Sequence, residues 1–343
     1  MTAPPSAAIG RTNVRVSALG LGTTALANMY AAVDPADASA TLDAAWDQGL
    51  RYIDTAPAYG SGLGEQRLGE WLASRPRDEL TLSTKVGNTL VPLADGEEGP
   101  GLFPGALRAQ PVPDFSRDAI LRSLEGSLER LGTDRVDMVA IHDPDGAASI
   151  EPGVDPYARS SFRQAMDECY PALDELRSQG VIGAVGVGMN GWQMLVDFAR
   201  AGDFDYFLLA GRHTLLEQEA QQQLFPVCQE RDVSLVIGGP YSSGILATGA
   251  GPDARYNYGP APDDVQQRVA AIERVAAQHD VSLRALALRF TVAHPAVASV
   301  IPGARSVAEV EENVALFSQE IPDAVWDELV DTGLLRGRPE QNL

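Results

Sequence analysis

Short apolar, β-branched stretches alternate with amphipathic stretches along this chain of 343 residues. The apolar stretches have the length of single strands, and the stretches between them carry apolar residues at helical spacing. We predict strands over 16–22, 51–54, 80–86, 136–142, 182–188, 204–211, 234–239 and 297–303, each followed by a helix. Eight such units favour parallel strands with crossover helices. They predict an α/β fold, a closed (β/α)8 TIM barrel, formed by residues 1–343 as one domain.

An open, doubly wound sheet is the alternative fold for the same alternation. Its dinucleotide-binding members place G-x-G-x-x-G between the first strand and the first helix. The glycine-rich stretch at 20–24 lacks that spacing into a helix, and no ribose-binding pattern follows the strand at 51–54. The pattern therefore favours the barrel.

Two long stretches, 87–115 and 249–262, interrupt the repeat of strands and helices. Both follow predicted strands, so we expect both on the C-terminal face, where barrels carry their chemistry. Long loops in compact domains are usually functional or mobile, and each of these is a candidate substrate wall. The Gly, Pro and acidic content of 91–112 is equally typical of a disordered surface insertion.

Charge and composition exclude several partners. With 26 basic and 47 acidic residues the net charge is −21, which repels nucleic acid and anionic membrane surfaces. No apolar run is long enough to span a bilayer and no secretory signal pattern is present, so we expect a cytoplasmic protein. Neither the two cysteines nor the four histidines have metal-site spacing, so we expect no metal. A homo-oligomer is compatible with the sequence.

Four polar residues follow the predicted strands at one rim of the barrel. Asp54 ends the second strand and Tyr59 lies in the turn after it, while Lys85 and His142 end the third and fourth strands. Taken singly, each has an ordinary structural explanation as a turn, half-buried, surface or core residue. Because parallel strands place their tips side by side, the four together predict a proton-transfer site in which Asp54 neutralises Lys85.

The chain resembles the aldo-keto reductase superfamily, whose members are (β/α)8 barrels that use a nicotinamide cofactor. The resemblance rests on the segments GLGT (20–23), YIDTAPAYG (52–60), LSTKVG (82–87), SLERLGTDRVDMVAIHDPD (127–145), IGAVGVGMN (182–190) and SVIPGARSVAEVEEN (299–313), which occur in the family's order. The forms IHDPD, LLAGRHTLL and IGGPYSSGIL are most similar to bacterial aldose and L-fucose 1-dehydrogenases and pyridoxal 4-dehydrogenases.

The resemblance implies a catalytic tetrad of Asp54, Tyr59, Lys85 and His142. Tyr59 exchanges a proton with the substrate, and Lys85 lowers the pKa of that phenol from its ordinary value of about 10. Asp54 holds Lys85 charged and in place. His142 donates a hydrogen bond to the substrate oxygen.

The resemblance also implies a cofactor site around the last strands and the first two. The residues expected there are Gly22, Thr23, Thr24, Asp54, Gly188, Asn190, Gly238, Gly239, Pro240, Tyr241, Ser243, Gly244, Ile301, Gly303, Arg305, Glu309, Glu312 and Asn313. Members that prefer NADP hold its 2′-phosphate with a lysine and an arginine at the positions of Gly303 and Glu309, so we expect NAD. Two observations keep NADP open: Ser306 and Glu309 also match a helix capping box, and Arg305 can reach a phosphate.

Four positions depart from the family pattern in the nicotinamide pocket. The Ser-Asn pair after the fifth strand is replaced by Gly188 and Met189, with Asn190 displaced by one residue. The expected glutamine is Ala210, and the expected stacking tyrosine is Gly238. The glycines at 238–239 either let the backbone approach the ring or form a plain turn.

The expected substrate is a sugar, oxidised at C1 to a lactone. Asp143 replaces a tryptophan common in relatives with aromatic pockets, and Arg212 and His213 follow the sixth strand, so polar contacts are available to hydroxyl groups. Tyr59 and His142 complete the expected substrate contacts, and Asp143 is equally well placed to cap the turn before Pro144. Oxidation of pyridoxal, general NADPH-dependent carbonyl reduction and a non-enzymatic cofactor-sensing subunit are the alternatives. The intact tetrad and the lack of an appended interaction segment count against the subunit.

Overall fold

The computed structural model describes residues 4–99 and 101–340. Eight parallel strands form the barrel: β1 Leu21–Gly22, β2 Tyr52–Asp54, β3 Thr81–Val86, β4 Met138–His142, β5 Ala184–Met189, β6 Tyr206–Ala210, β7 Ser234–Gly238 and β8 Val297–Ile301. Each strand pairs with its neighbour in chain order. Parallel bridges from Leu19 to Val300 and from Gly22 to Gly303 join the last strand to the first and close the barrel. The (β/α)8 prediction is confirmed.

Helices surround the barrel. The longer ones span Pro35–Asp47, Leu63–Leu72, Arg117–Leu131, Tyr170–Ser178, Trp192–Ala201, Ala220–Glu230, Asp263–Gln278, Leu283–Val292, Val307–Phe317 and Asp323–Asp331. Several begin at side chains that accept a hydrogen bond from an otherwise unpaired backbone N–H, as Ser116 and Ser282 do. Among the described residues, none of the helices combines the length and the apolar character that crossing a membrane requires.

Side-chain alternation along the strands separates two apolar layers. In β4, Met138 and Ala140 belong to the cluster inside the barrel, whereas Val139 and Ile141 belong to the cluster that packs against the helices. This period of two follows from the pleat of a strand. It also places the side chains at successive strand tips at one end of the barrel.

The N-terminal part of the chain differs from the prediction. The predicted strand 16–22 is divided between two sheets, because Arg15–Ser17 pairs antiparallel with Ser6–Ala8 and only Leu21–Gly22 enters the barrel. Ile9 and Val16 are almost fully buried in the cluster inside the barrel. The hairpin therefore covers the N-terminal end of the barrel, and burial of its two apolar residues explains why the strand divides.

Both long loops contain paired structure. Asn88–Pro92 pairs antiparallel with Ala109–Pro113, so regular pairing is present in the segment for which a disordered insertion was the alternative. A second, short hairpin pairs Arg255–Tyr256 with Gly259–Pro260. It lies in the stretch between β7 and the helix Asp263–Gln278.

The helix that follows β4 begins irregularly. A short helical turn, Phe162–Gln164, leads into a π-helical segment, Ala165–Cys169, before the regular helix Tyr170–Ser178. Pro171 lies at the start of that regular helix and has no backbone N–H to donate, which favours a widened turn before it.

Candidate active site

An ion pair joins the tips of β2 and β3. Lys85 Nζ lies 2.6 Å from Asp54 Oδ2, and the two side chains are 1% and 3% exposed. The same ammonium donates to the backbone carbonyl of Thr55 at 2.8 Å. Burial on its own lowers the pKa of Lys85, but the charge of Asp54 and the hydrogen bonds outweigh it and raise that pKa. Lys85 is therefore a fixed positive charge in a site with little water.

Tyr59 lies against this ammonium. It opens a short turn, Tyr59–Gly62, in which Gly60 and Ser61 adopt left-handed backbone angles that bring the chain back over the strand tip. Lys85 Nζ is 4.6 Å from the centre of the Tyr59 ring. Burial raises the pKa of Tyr59, Lys85 lowers it and Asp54 raises it, with a net increase. The expected effect of Lys85 has the right sign, but burial exceeds it.

His142 completes the group at the tip of β4. Its ring meets the Tyr59 ring edge to face, with 5.8 Å between centroids. Burial, followed by the charge of Lys85, lowers the pKa of His142 well below its ordinary value, so the imidazole is neutral. Its Nδ1 atom is buried and has no hydrogen-bond partner within the described part of the chain. A neutral imidazole offers one N–H donor and one acceptor, as a group that orients a substrate oxygen requires.

Asp143 follows His142 at the rim. It is half-buried and adopts a left-handed φ of 47°, and its Oδ2 is 3.6 Å from His142 Nε2. Burial, with the charge of Asp145, raises the pKa of Asp143 to about 7. Residues other than glycine are uncommon at positive φ, aspartate being one of those that adopt it more readily, and strained backbone of this kind clusters at binding sites.

The short hairpin after β7 reaches the same rim. Tyr258 at its tip accepts a hydrogen bond from Asn190 Nδ2 at 3.2 Å, and Asn190 also donates to the Ala210 carbonyl at 2.8 Å. The pKa of Tyr258 is raised to about 12 by burial, and the charges of Asp143 and Tyr59 contribute to the shift. Tyr258 was not among the residues predicted to contact the substrate, but it lies in the stretch 249–262, which the sequence predicts as a candidate substrate wall.

Arg212 connects loops instead of standing free at the rim. Its guanidinium donates to Asn257 Oδ1 at 2.7 Å and to the Ser149 carbonyl at 3.1 Å. These bonds tie the loops after β4, β6 and β7 together. Arg212 therefore lies in the walls of the site and holds the hairpin that carries Tyr258.

His213 is not part of the site, which corrects the expectation that it contacts the substrate. Its side chain is fully buried between the rings of Phe225 and Phe290, at centroid distances of 4.7 and 5.1 Å. Those rings belong to the helices Ala220–Glu230 and Leu283–Val292, outside the barrel. Burial lowers the pKa of His213 to about 3, so it is a neutral core residue.

Most of the residues predicted to hold the cofactor lie along the rim from β7 to β1. Tyr241 OH donates to Asn313 Oδ1 at 2.7 Å, which connects the turn after β7 to the helix Val307–Phe317. Ser243 Oγ accepts from the Tyr258 backbone N–H at 3.0 Å. At Gly244, whose φ is 106°, no described atom lies within 4 Å of the position that a Cβ would occupy. The backbone there faces open space, as close approach of a phosphate requires.

Arg305 and Glu309 lie on either side of the start of the helix Val307–Phe317. Glu309 Oε2 accepts from the backbone N–H of Arg305 at 2.8 Å, and Ser306 Oγ accepts from that of Glu309 at 3.3 Å. Glu309 therefore caps the start of this helix, as the capping-box pattern predicts, although its side chain is exposed. Arg305 donates to the Met29 carbonyl, and its buried Nε has no partner among the described residues. Glu312 forms an ion pair with Arg284.

Small residues complete this rim. Gly22 and Gly303 face each other across the closure of the barrel beside Ile301, and Thr23 Oγ1 donates to the Asp54 carbonyl at 3.1 Å. Thr24 forms a side-chain hydrogen bond with Tyr59. The remaining predicted positions, Gly188, Gly238, Gly239 and Pro240, lie at or just after the ends of β5 and β7. A Cβ at Gly188 would lie 3.4 Å from Lys85 Cε, so this glycine packs directly against the Lys85 side chain. The open backbone at Gly244 and the unpaired Arg305 donor fit an anionic dinucleotide.

Comparisons with known proteins identify the family. The sequence model of the aldo/keto reductase family matches residues 18–332. Pyridoxal 4-dehydrogenase from Microbacterium luteolum is 37% identical over 340 residues, which cover 96% of this chain and 97% of that protein. D-threo-aldose 1-dehydrogenase from a Pseudomonas species is 37% identical over 342 residues, which cover 97% and 98%.

Solved structures support the fold. An aldo-keto reductase from Bacillus halodurans in its holo form has a TM-score of 0.74 at 23% identity and covers 96% of each chain. A glycerol dehydrogenase from Gluconobacter oxydans has a TM-score of 0.72 at 22% identity and covers 98% of this chain and 96% of its own. Given the family match over most of its length and the two relatives at 37% identity, this chain belongs to the aldo/keto reductase family and is an oxidoreductase that uses a nicotinamide cofactor.

Proposed function

We propose that this enzyme oxidises an aldose at C1 to the corresponding lactone, with NAD⁺ as the preferred acceptor. The observation that carries the proposal is the contact of Tyr59 with the buried ammonium of Lys85, at a rim that also presents Asp143 and Tyr258. The first pair supplies acid–base chemistry, and the second supplies polar contacts for a substrate rich in hydroxyl groups.

In the proposed mechanism, Tyr59 Oη takes the proton of the C1 hydroxyl as C1 is oxidised. Lys85 favours the phenolate form that accepts this proton, because its ammonium charge cannot leave the buried pair with Asp54. Neutral His142 donates a hydrogen bond to the C1 oxygen and fixes its position beside Tyr59. In the reverse direction Tyr59 returns the proton to the oxygen. The nicotinamide, when bound, would supply the acceptor for the hydride that C1 loses.

The carboxylate of Asp143 supports a sugar as the substrate. It lies beside His142, with 3.6 Å between Nε2 and Oδ2, so it is within reach of a hydroxyl next to the reacting carbon. A carboxylate accepts hydrogen bonds from hydroxyl groups, and Tyr258 OH both donates and accepts them. The aldose 1-dehydrogenase relative is consistent with this assignment.

The NAD preference is supported by charge. Gly303 has no side chain and Glu309 is an exposed acid at the start of the helix Val307–Phe317, so this part of the rim repels a 2′-phosphate. The Arg305 side chain is the group that favours NADP, and its Nη2 is held by the Met29 carbonyl. On balance, we assign NAD.

A panel assay tests the proposal. Purified enzyme is mixed with NAD⁺ or NADP⁺ and one of a set of aldoses, pyridoxal or simple alcohols, and the appearance of reduced cofactor is followed. We expect the highest kcat/KM with an aldose and NAD⁺, and the lactone as the product. Oxidation of pyridoxal in preference to every aldose would contradict the substrate assignment.

Pyridoxal is the second candidate, and one observation favours it. Tyr30 and Tyr258 both lie at the rim, since the hairpin that carries Tyr258 also places the Arg255 guanidinium 5.0 Å from the centre of the Tyr30 ring, and both rings could contact an aromatic substrate. The relative from Microbacterium luteolum carries that activity in its name. The panel described above distinguishes the two candidates directly.

A further inference from the structure

A chain of hydrogen bonds continues from the site into the interior of the barrel. Ser83 Oγ lies 2.7 Å from Asp54 Oδ1, and Tyr52 OH lies 3.1 Å from Ser83 Oγ. The three residues are at most 2% exposed, and they belong to the neighbouring strands β2 and β3. Asp54 therefore contacts Lys85 with one oxygen and Ser83 with the other.

The direction of these bonds follows from the number of hydrogens. An ionised Asp54 has no hydrogen to give, so Ser83 must donate its only hydroxyl hydrogen to Oδ1. The oxygen of Ser83 is then left as an acceptor, and Tyr52 must be the donor to it. Both hydrogen bonds thus point in the same direction: Tyr52 donates to Ser83, and Ser83 donates to the carboxylate.

We propose that Ser83 and Tyr52 are positioning residues of the reaction, which act on Tyr59 through Asp54 and Lys85. Charge-assisted hydrogen bonds are short and strong, and this one fixes the carboxylate so that Oδ2 faces Lys85. The hydroxyl dipole of Ser83 also offsets part of the negative charge of Asp54. The inference rests on the proposed role of Tyr59 in proton transfer.

The sign of the effect can be worked out. Without the Ser83 hydroxyl, the potential at Tyr59 becomes more negative, because the charge of Asp54 is less well compensated. A more negative potential disfavours the phenolate and raises the pKa of Tyr59. The limb of the kcat/KM profile that depends on Tyr59 then moves to higher pH, for oxidation and for reduction alike.

Four variants form a matched set. Ser83→Ala removes the donor to Asp54, Ser83→Thr keeps a hydroxyl, and Tyr52→Phe removes the donor to Ser83. Tyr206→Phe is the control, since Tyr206 is also fully buried inside the barrel but its hydroxyl has no hydrogen-bond partner among the described residues. Tyr52→Phe and Tyr206→Phe thus each delete one hydroxyl from the same apolar cluster, and only the Tyr52 hydroxyl bonds to Ser83.

The readout is the pH profile of kcat/KM, measured for aldose oxidation and for the reduction of methylglyoxal. We expect Ser83→Ala to lower kcat for aldose oxidation about threefold or more near neutral pH and to move the profile upward by about half a pH unit or more, with little change in cofactor affinity by fluorescence quenching. Tyr52→Phe should move it less, Ser83→Thr should restore it, and Tyr206→Phe should leave it unchanged. Because Tyr52 acts through Ser83, the double variant Ser83→Ala with Tyr52→Phe should match Ser83→Ala alone.

Two results would overturn the inference: an unshifted profile in folded Ser83→Ala, or equal shifts in Tyr52→Phe and Tyr206→Phe. If Ser83→Ala does not fold, the comparison of Tyr52→Phe with Tyr206→Phe decides. Failure of the proposed function gives a different result, namely no turnover of any aldose. In that case the Tyr59 titration is followed by NMR on ring-labelled protein, with the signal assigned by its loss in Tyr59→Phe. If the apparent pKa of Tyr59 is no higher in Tyr52→Phe than in the wild type, the proposed role of the hydrogen bonds from Tyr52 through Ser83 to Asp54 is rejected.

Discussion

Lys85 and Asp54 form an ion pair in which Nζ lies 2.6 Å from Oδ2 and both side chains are almost completely buried. Burial removes both charges from water, so each is stabilised mainly by the other. The pair makes the positive charge beside Tyr59 permanent. It also couples the chemistry of the site to the stability of the protein.

Breaking this pair on one side should cost much of the stability. We expect Lys85→Met to lower the free energy of unfolding by about 3–5 kcal/mol, because Asp54 is left as a buried charge without its partner. Lys85→Met combined with Asp54→Asn should recover part of the loss. Urea denaturation measures both. As a control, Arg11→Met breaks the exposed pair with Asp203, whose side chains are 62% and 68% exposed, and should cost at most about 1 kcal/mol. Equal losses at the two sites would contradict the argument.

Removing the Tyr59 hydroxyl should abolish proton transfer while the site stays assembled. We expect Tyr59→Phe to lower kcat about a thousandfold, because positioned acid–base groups contribute about 10²–10⁴-fold. The phenylalanine ring keeps the edge-to-face contact with His142, so cofactor binding followed by fluorescence quenching should stay near the wild-type value. Substantial residual turnover would reject Tyr59 as the acid–base group.

The raised pKa of Asp143 predicts a pH-dependent cost to stability. In the folded protein this carboxyl titrates near pH 7, whereas in the unfolded chain it titrates near 3.8, so the unfolded state releases its proton first as pH rises. The cost grows between about pH 4 and pH 7 and is constant above that range. We expect Asp143→Asn to be more stable than the wild type at pH 8, with a smaller difference at pH 5, by thermal denaturation. A difference that is independent of pH would contradict the shift.

Tyr258 occupies a backbone position that suits glycine. It and Asn257 form the two-residue loop between Tyr256 and Gly259, with φ of 65° and 47°, as in a type I′ turn. We expect Tyr258→Gly to be about 1 kcal/mol more stable than Tyr258→Ala, because both lose the ring and only alanine retains the left-handed strain.

Both Tyr258 variants should nevertheless lose about tenfold in kcat/KM for the aldose, since each deletes the hydroxyl that contacts Asn190. Chemical denaturation and steady-state kinetics separate the two effects. Full activity in Tyr258→Gly would show that the tyrosine serves neither the wall of the site nor its substrate.

The acid at 309 should govern the choice of cofactor. We expect Glu309→Arg to raise the ratio of kcat/KM for NADP⁺ to that for NAD⁺ about tenfold or more, because it replaces a repulsive charge with an attractive one. The variant also loses the acceptor for the Arg305 backbone N–H, at a cost of about 1 kcal/mol in stability. Glu311→Arg makes the same charge change at another exposed position of the same helix and is the control. An equal change in both variants would indicate general electrostatics.

The four residues at the strand tips were predictable from the sequence because they depend on local pattern. Strands are recognised by apolar runs, and the end of a run marks a tip whose neighbours in a parallel barrel follow in chain order. Asp54, Lys85 and His142 each lie at the end of such a run. Tyr59 lies in the turn that follows the run ending at Asp54. The same period of two places Ser83 and Tyr52 on the interior face, although nothing in the sequence indicates that their hydroxyls meet.

Positions just beyond the strand tips were decided by the tertiary structure. Arg212 and His213 are adjacent after β6, yet one braces the loops of the site and the other is enclosed by Phe225 and Phe290. The direction of a side chain in a loop depends on contacts with helices distant in sequence, which periodicity does not report. The division of the first predicted strand likewise depends on the N-terminal segment that pairs with Arg15–Ser17.

The sequence by itself determined the barrel and the placement of four polar residues at its strand tips, because their spacing follows the repeat. The nicotinamide cofactor was implied by the resemblance to the aldo-keto reductases. The tertiary structure decided how charge is distributed among those residues and which loop reaches the site. Tyr59 has a raised pKa because burial outweighs Lys85, and Tyr258 reaches Asn190 because a strained turn carries it there. Both depend on packing between segments far apart in the chain, since desolvation and long-range contacts exist only once the barrel has closed.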